Sequence, residues 1–286
     1  MTALTLPMPG LHKDVPEAVY AQWQALRTSH LKNALKSWRH FRHAETTPSE
    51  DTDALILGRA AHCAAFEPAR YAADFVVYKK IDGRTKEGKE QAEQIKAETR
   101  TVLTEDEAGE IAQWCKALRE HQQAGKIMAM PGDSEVSFVW SDEKTGVLCK
   151  GRIDRLIRRK GGLLIVDLKT AESAQPDRFA KDAIKYGYGI QAAQYVDGLR
   201  AATGEANIGF VWVVVEKKAP YVVEVYSATD PDTQPDFLTN GRVLRDRLLR
   251  ELVECRNTGV YPSYTDGSRI TPLRVPAYAI EQEPTE

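Results

Sequence analysis

Two aspartates and a lysine in the stretch GRIDRLIRRKGGLLIVDLKT, Gly151 to Thr170, have the types and the spacing for metal-assisted chemistry. If Lys160 and Gly161 close a symmetric hairpin, residues whose numbers sum to 321 face one another, and Asp154 and Asp167 are such a pair. Gly161 and Gly162 sit where a tight turn needs glycine. Directly opposed residues share a sheet face with Cα atoms about 4.5 to 5.5 Å apart. Period-two alternation then sets Lys169 on the same side as Asp167. Like charges placed this way cost an exposed sheet up to about 1 kcal/mol. A hard divalent ion such as Mg²⁺ reverses the sign of that effect by binding both carboxylates, and the Lys169 ammonium can then orient or help deprotonate a water on the ion. These are the parts needed to hydrolyse a phosphodiester. The alternative is a solvated face on which Lys169 or Arg152 pairs the aspartates. Against it, the apolar run LLIV leads directly into Asp167, which places that residue at the end of a buried strand.

The elements that must position these groups change character along the chain. Residues Glu17 to Ala44 read as helical, with Trp23, Leu26, Leu31, Leu35, Trp38 and Phe41 at mostly three- and four-residue steps. Ser29 is a candidate cap inside that stretch. A second helix is expected over Ala54 to Phe66, stopping near Pro68. The charged stretch KKIDGRTKEGKEQAEQIKAETR reads as a loop entering a solvated helix, and TEDEAGEIAQWCKALREHQQAG as a helix with a threonine cap and an acidic first turn. EVSFVW, GVLCKGRIDRLI and GLLIVDLKT form a three-strand meander. A long helical region from Pro176 to Ala202, two strands (IGFVWVVVE and YVVEVYSA) and a last helix through FLTNGRVLRDRLLRELVECRNTG complete the order. The acidic end EQEPTE reads as disordered.

The 286 residues, 42% hydrophobic and 28% charged, describe a globular protein with a sizeable core. A net charge of -2 gives no global attraction to nucleic acid or anionic lipid, so a polyanion must be held by local basic patches or a bound metal. No apolar run approaches the roughly 20 residues of a membrane span, and no secretory leader is evident, so a cytoplasmic protein is expected. The four cysteines, Cys63, Cys115, Cys149 and Cys255, lack CxxC spacing, which argues against a zinc ribbon and a dense disulfide framework. GRTKEGKE, Gly83 to Glu90, nearly matches a phosphate-binding loop. Glu90, however, stands where Ser or Thr would reach Mg²⁺, and it repels phosphate, so no nucleotide is expected there.

GRID followed by IVDLKT resembles the PD-(D/E)xK nuclease signature. The ordered set GRAAHCAAFEP, GRTKEGKE, SEVSFVW, GVLCKGRIDRL, IVDLKT and IQAAQYVDGL resembles its RecE-like branch, that of exodeoxyribonuclease VIII and phage relatives, from about Ser29 to Pro262. The resemblance implies an α/β restriction-endonuclease-like core, a mixed central sheet with an antiparallel meander flanked by helices. It divides the chain into a helical extension (1–28), a nuclease domain (29–270) and a tail (271–286). It makes Asp154 and Asp167 the metal carboxylates and Lys169 the catalytic lysine, with His62 and the Leu168 carbonyl as further ligands. Glu135 matches an acidic position that assists the metal site, its register against Asp154 left open, and a surface glutamate is the other reading. Gln191 and Tyr195, at i and i+4, match a QxxxY element that orients DNA or the active site, beside a purely structural reading. Arg84, Lys86, Lys89 and Arg152 become candidate DNA contacts. Ile153 replaces the signature proline and Asp167 fills the D/E position, which leaves the ligand chemistry intact.

The activity so implied is a Mg²⁺-dependent exonuclease, with Mn²⁺ able to substitute. It would resect one strand of linear duplex DNA from its ends, 5′ to 3′, for phage or prophage recombination. A single-strand annealing protein is the implied partner and a ring the implied oligomer. Relatives with an iron-sulfur cluster group three cysteines near the C-terminus. Only Cys255 lies there, so no cluster is expected. A structure-specific endonuclease or repair nuclease with the same site, and a non-catalytic DNA-binding protein of the same fold, are the rival readings.

Overall fold

The computed structural model describes residues 6–47, 51–79, 84–232, 235–265, 267 and 270–276. The chain begins with strand β1 (Gly10–His12), helix α1 (Glu17–Gln22), strand β2 (Leu26–Arg27), helix α2 (Thr28–Leu31), a 3-10 turn (Lys32–Leu35) and helix α3 (Trp38–Thr46). Helices α4 (Asp53–Phe66) and α5 (Pro68–Asp74), strand β3 (Phe75–Tyr78), helix α6 (Lys86–Ala97), strand β4 (Thr101–Thr104) and helices α7 (Glu105–Glu120) and α8 (Gln122–Ala129) follow. The meander is β5 (Gly132–Ser141), β6 (Leu148–Arg159) and β7 (Gly162–Ala171). Then come α9 (Pro176–Lys185), α10 (Tyr188–Thr203), β8 (Ile208–Glu216), β9 (Val223–Ser227) and α11 (Phe237–Thr258).

Among the described residues the main sheet runs β1-β5-β6-β7-β8-β9, with β2 added beside β6 and a separate parallel pair of β3 and β4. The meander strands are antiparallel and β7 pairs with β8 in parallel, so the sheet is mixed as expected. The β6–β7 register has the sum of 321, from Arg159–Gly162 to Arg155–Val166, with Gly161 taking the positive φ of 83° that the turn requires. Two apolar cores cover the sheet faces. One gathers Phe138, Ile153, Ile165 and Trp212 with α3, α10 and α11, and the other gathers Ile157, Leu164, Val166 and Val213 with α4 and α7.

The helical reading of Glu17 to Ala44 is corrected, since strand β2 interrupts it between α1 and α2. Leu26 and Arg27 pair in parallel with Cys149 and Lys150 on β6, and the buried Lys150 ammonium donates to the carbonyls of Tyr20 and Trp23, both at 2.7 Å. Those carbonyls lie at the end of α1, so helix continuation is exchanged there for a charge-assisted cap. Ser29 lies within α2 and caps nothing. Ser37 caps α3 instead, accepting from the His40 amide. The helical region from Pro176 likewise breaks in two at Gly187, whose φ of 62° is left-handed. Pro68 follows the end of α4 as expected but also opens α5, where a first-turn proline loses no hydrogen bond.

The other expected helices are present. Thr104 and Glu107 form a reciprocal capping box at the start of α7. The EQEPTE end lies outside the described residues, as does Gly83 of the phosphate-loop look-alike. Among the described residues no helix is long and apolar enough to cross a membrane.

Candidate active site

Strand β6 changes partners along its length, and the change opens the site. Its last residues pair with β7 as far as Arg155, while Cys149 and Lys150 pair with β2 on the same edge. Between the two pairings β6 and β7 part. Where the next ladder bond would form, the Leu168 amide donates to the Asp154 side chain, N to Oδ2, at 3.0 Å. The pleat also slips by one residue here: Ile153 and Leu156, three apart, both enter the same core, and Ile157 enters the other.

The β5–β6 ladder has the sum 289 from Gly132–Ile157 to Ser134–Arg155 and again from Val136–Ile153 to Ser141–Leu148, and skips Glu135 and Asp154 between the two runs. Glu135 takes a φ of 50°, a conformation that a residue with a Cβ rarely adopts, at the point where the pleat slips. Asp154 thus lies near an acidic residue of each neighbouring strand, Glu135 on β5 and Asp167 on β7.

Each helical layer sends one group to this point. From α4, His62 Nδ1 lies 3.3 Å from Asp154 Oδ2. From α10, Gln191 Nε2 donates to Asp167 Oδ1 at 2.7 Å. Lys169 forms a close ion pair with Asp167 Oδ2, and its ammonium stands 4.9 Å from the centre of the Tyr188 ring. Lys32, from the 3-10 turn, donates to Gln191 Oε1 at 3.1 Å and stands 5.2 Å from the same ring.

The electrostatics follow from burial and pairing. Burial raises the Asp167 carboxyl above its usual range, and the Asp154 charge adds to the rise in spite of Lys169. Burial opposes ionisation of Asp154 as well, but His62, Lys169 and the Leu168 amide outweigh it and hold that carboxyl below its ordinary value. Burial and the Asp154 charge push Glu135 up to about 7. For His62 and Lys169 burial disfavours the cation, yet the facing carboxylates prevail and raise both. Lys32 is brought down to about 7, by burial first and by Lys169 second.

Most of the predicted residues meet here. His62, Glu135, Arg152, Asp154, Gln191 and Tyr195 line one cleft of about 300 Å³, and Asp167, Leu168 and Lys169 are bonded into it. The cleft opens beside a larger one of about 870 Å³, with which it shares Arg27, Ser29 and Lys150. Tyr195 packs edge-on against Phe138, a structural contact. Arg152, expected at DNA, instead bonds Ser137, Glu17 and the Val15 carbonyl and lies over the Tyr20 ring. Its donors hold the N-terminal segment to β6. Arg84, Lys86 and Lys89 are exposed at the start of α6 and do not line the cleft.

Lys32, Tyr188 and the cleft cations Arg27, Arg59 and Lys150 were missed in the sequence. The helical reading of Glu17 to Ala44 hid the first of these, although the five-residue step from Leu26 to Leu31 already left the helical stripe.

Among the described residues no three His, Cys, Asp or Glu side chains form a compact ready-made metal group. The Lys169 ammonium lies on Asp167, and Asp154 is turned to His62 and the Leu168 amide. The donor set nonetheless fits a hard divalent ion: carboxylates, a backbone carbonyl and one imidazole. Asp167 Oδ2 is buried and its partner is the Lys169 ammonium, so an ion held there would share that oxygen with, or displace, the lysine.

Residues 28–271 match the model of a family described as a PDDEXK-like domain of unknown function (DUF3799). The chain is also similar to a solved structure from Eubacterium rectale, described as a putative exonuclease, with a TM-score of 0.58 and 15% identity over 93% of this chain and 97% of that one. A second solved structure, SSO0001, is 15% identical over 78% of this chain and 84% of that one, but its TM-score of 0.30 is too low to bear on the fold. No curated protein matches the chain.

Proposed function

The chain belongs to the PDDEXK-like family DUF3799, and from that premise we propose that it is a divalent-metal-dependent DNA exonuclease acting at the ends of linear duplexes. The observation that carries this reading is Asp154 lying near Glu135 and Asp167, acids of the two neighbouring strands, with His62 beside Asp154 and Lys169 paired to Asp167. A buried Asp167 beside the partly buried Asp154 and Glu135 is costly unless a cation is held there. Asp154 and Asp167 would hold Mg²⁺ or Mn²⁺, with the Leu168 carbonyl and His62 completing the set and Glu135 assisting. When bound, the ion supplies Lewis-acid polarisation of the scissile phosphate.

The chain's own residues do the rest. Lys169, held between Asp167 and the Tyr188 face, orients the attacking water and offsets charge building on the phosphate. Gln191 fixes the Asp167 carboxylate through Oδ1. The cleft carries Arg27 and Arg59 at its edge, beside Lys32, Lys150 and Arg152 that are bonded within it. Backbone phosphates are the ligand the two arginines complement, and Arg84, just before α6, with Lys86 and Lys89 on it, extends the contact along the duplex. The RecE-like motif set supports the finer reading: 5′-to-3′ resection in the cytoplasm, a ring-shaped oligomer, and single strands passed to an annealing protein in phage or prophage recombination.

Release of acid-soluble nucleotides tests the reaction, with Mg²⁺, with EDTA, and with the Asp167→Ala protein. Release with Mg²⁺ alone is expected, and equal release in all three sinks the metal mechanism. End-labelled linear duplexes beside closed circles report direction and the need for an end. Cleavage of the circles would favour an endonuclease.

A further inference from the structure

We propose that Lys32 is a positioning residue that fixes the side-chain amide of Gln191 against Asp167, an inference whose catalytic consequence rests on the nuclease reading above. Five groups close a circuit. Lys32 donates to Gln191 Oε1 at 3.1 Å, and Gln191 Nε2 donates to Asp167 Oδ1 at 2.7 Å. Asp167 pairs with Lys169, and the ammoniums of Lys169 and Lys32 stand 4.9 and 5.2 Å from the centre of the same Tyr188 ring.

The Lys32 amine donates to the amide oxygen and the Asp167 carboxylate only accepts, so the amide sits with its oxygen to Lys32 and its nitrogen to Asp167. Without Lys32 the amide keeps one partner and regains rotation, and the Asp167 carboxylate loses its fixed setting. Lys32 is delivered by the turn that follows β2 and α2, the segment that enters where β6 parts from β7. The same N-terminal segment that builds the cleft wall therefore also sets the carboxylate. Lys32 also lines the cleft, so direct contact with a phosphate is the competing role, and the two roles differ in what they change.

The test compares the full-length protein with Lys32→Met, Lys32→Arg, Gln191→Leu and the Lys32→Met/Gln191→Leu double variant in two measurements. The first is urea unfolding without DNA. The double variant is expected to raise the unfolding constant less than the product of the two single effects, by about fivefold or more. The second is hydrolysis of end-labelled linear duplex with Mg²⁺. Lys32→Met is expected to lower kcat about tenfold or more while KM stays within about twofold, with the double variant no slower than the slower single and Lys32→Arg recovering part of the loss. Unfolding effects that simply multiply overturn the proposal, as does a raised KM at unchanged kcat, the mark of a phosphate contact. If the parent protein does not cleave DNA, the nuclease reading fails, and the unfolding cycle still decides whether Lys32 and Gln191 act as one unit.

Discussion

Gly189 ties helix packing to the active site, and its replacement by alanine makes that tie measurable. A Cβ at this position would stand 2.7 Å from the Phe237 carbonyl oxygen and 3.6 Å from the Gly241 Cα. The first neighbour is backbone, so no rotamer change relieves the clash. Restoring ordinary contact at about 3.4 Å requires α10 and α11 to separate by about 0.7 Å. Overpacking of this kind costs about 1 to 3 kcal/mol. At roughly 2 to 4 °C per kcal/mol for a chain of this size, a Tm lower by about 2 to 12 °C is expected. The same shift acts two residues from Gln191. Moved by about 0.7 Å, its 2.7 Å bond to Asp167 reaches about 3.4 Å, beyond useful hydrogen-bond length. Turnover in the folded fraction should fall by about tenfold or more. Gly109 is the control: it is exposed in α7, and a Cβ there meets nothing within 4 Å. Gly109→Ala should leave turnover unchanged and stabilise by about 0.5 to 1 kcal/mol through helix propensity alone. Calorimetry and a turnover assay on the two variants decide the matter. Equal melting temperatures, with turnover of Gly189→Ala within about threefold of the parent, would refute the reasoning.

Three further outcomes are expected. Lys169→Ala should keep its fold by circular dichroism and lose turnover heavily; a change within about threefold, under roughly 0.7 kcal/mol, would remove the role given to it. Chelation should abolish nucleotide release and added Mg²⁺ restore it, with Mn²⁺ effective in its place; full release in EDTA would count against the donor set. Asp197 joins α10 to α11 through Arg242 and Arg245, at 2.7 and 2.6 Å. Burial opposes its charge, yet those bonds outweigh burial and hold its pKa at about 2 against an ordinary 3.8. Its contribution, about 2 kcal/mol, is therefore complete above pH 4 and lost as the pH falls through 2. Urea unfolding of the parent and Asp197→Asn proteins should show a stability gap that closes by that amount between pH 5 and pH 2, and a constant gap would count against the assignment.

The parts of the fold that could be read in the sequence are those set by short-range rules. The β6–β7 register up to Arg155–Val166 follows from one tight turn and a period of two, and both are local; that the strands part just before Asp154 and Asp167 is not. Glu135 was harder, because the six residues between β5 and β6 fix no turn from composition; only the ladder on either side of it brings it near Asp154. The N-terminal segment misled because its conformation depends on distant groups. A helical pattern from Glu17 is overridden by pairing with β6 and by the Lys150 ammonium, more than 120 residues away in the chain. Lys32 went unseen for the same reason, since its partner Gln191 lies 159 residues on. The β3–β4 pair, four residues per strand and partly exposed, carries too little alternation to announce itself.

The grip of Lys150 on the Tyr20 and Trp23 carbonyls bears on where this molecule can be trimmed. The family match starts at residue 28, which invites a shortened gene product beginning there. Such a product would lose the β2–β6 pairing, the acceptors of Lys150 and the Glu17 partner of Arg152, and would open that edge of β6 to water. The stretch from Gly10 to Arg27 supplies two strands of the sheet and part of the cleft lining.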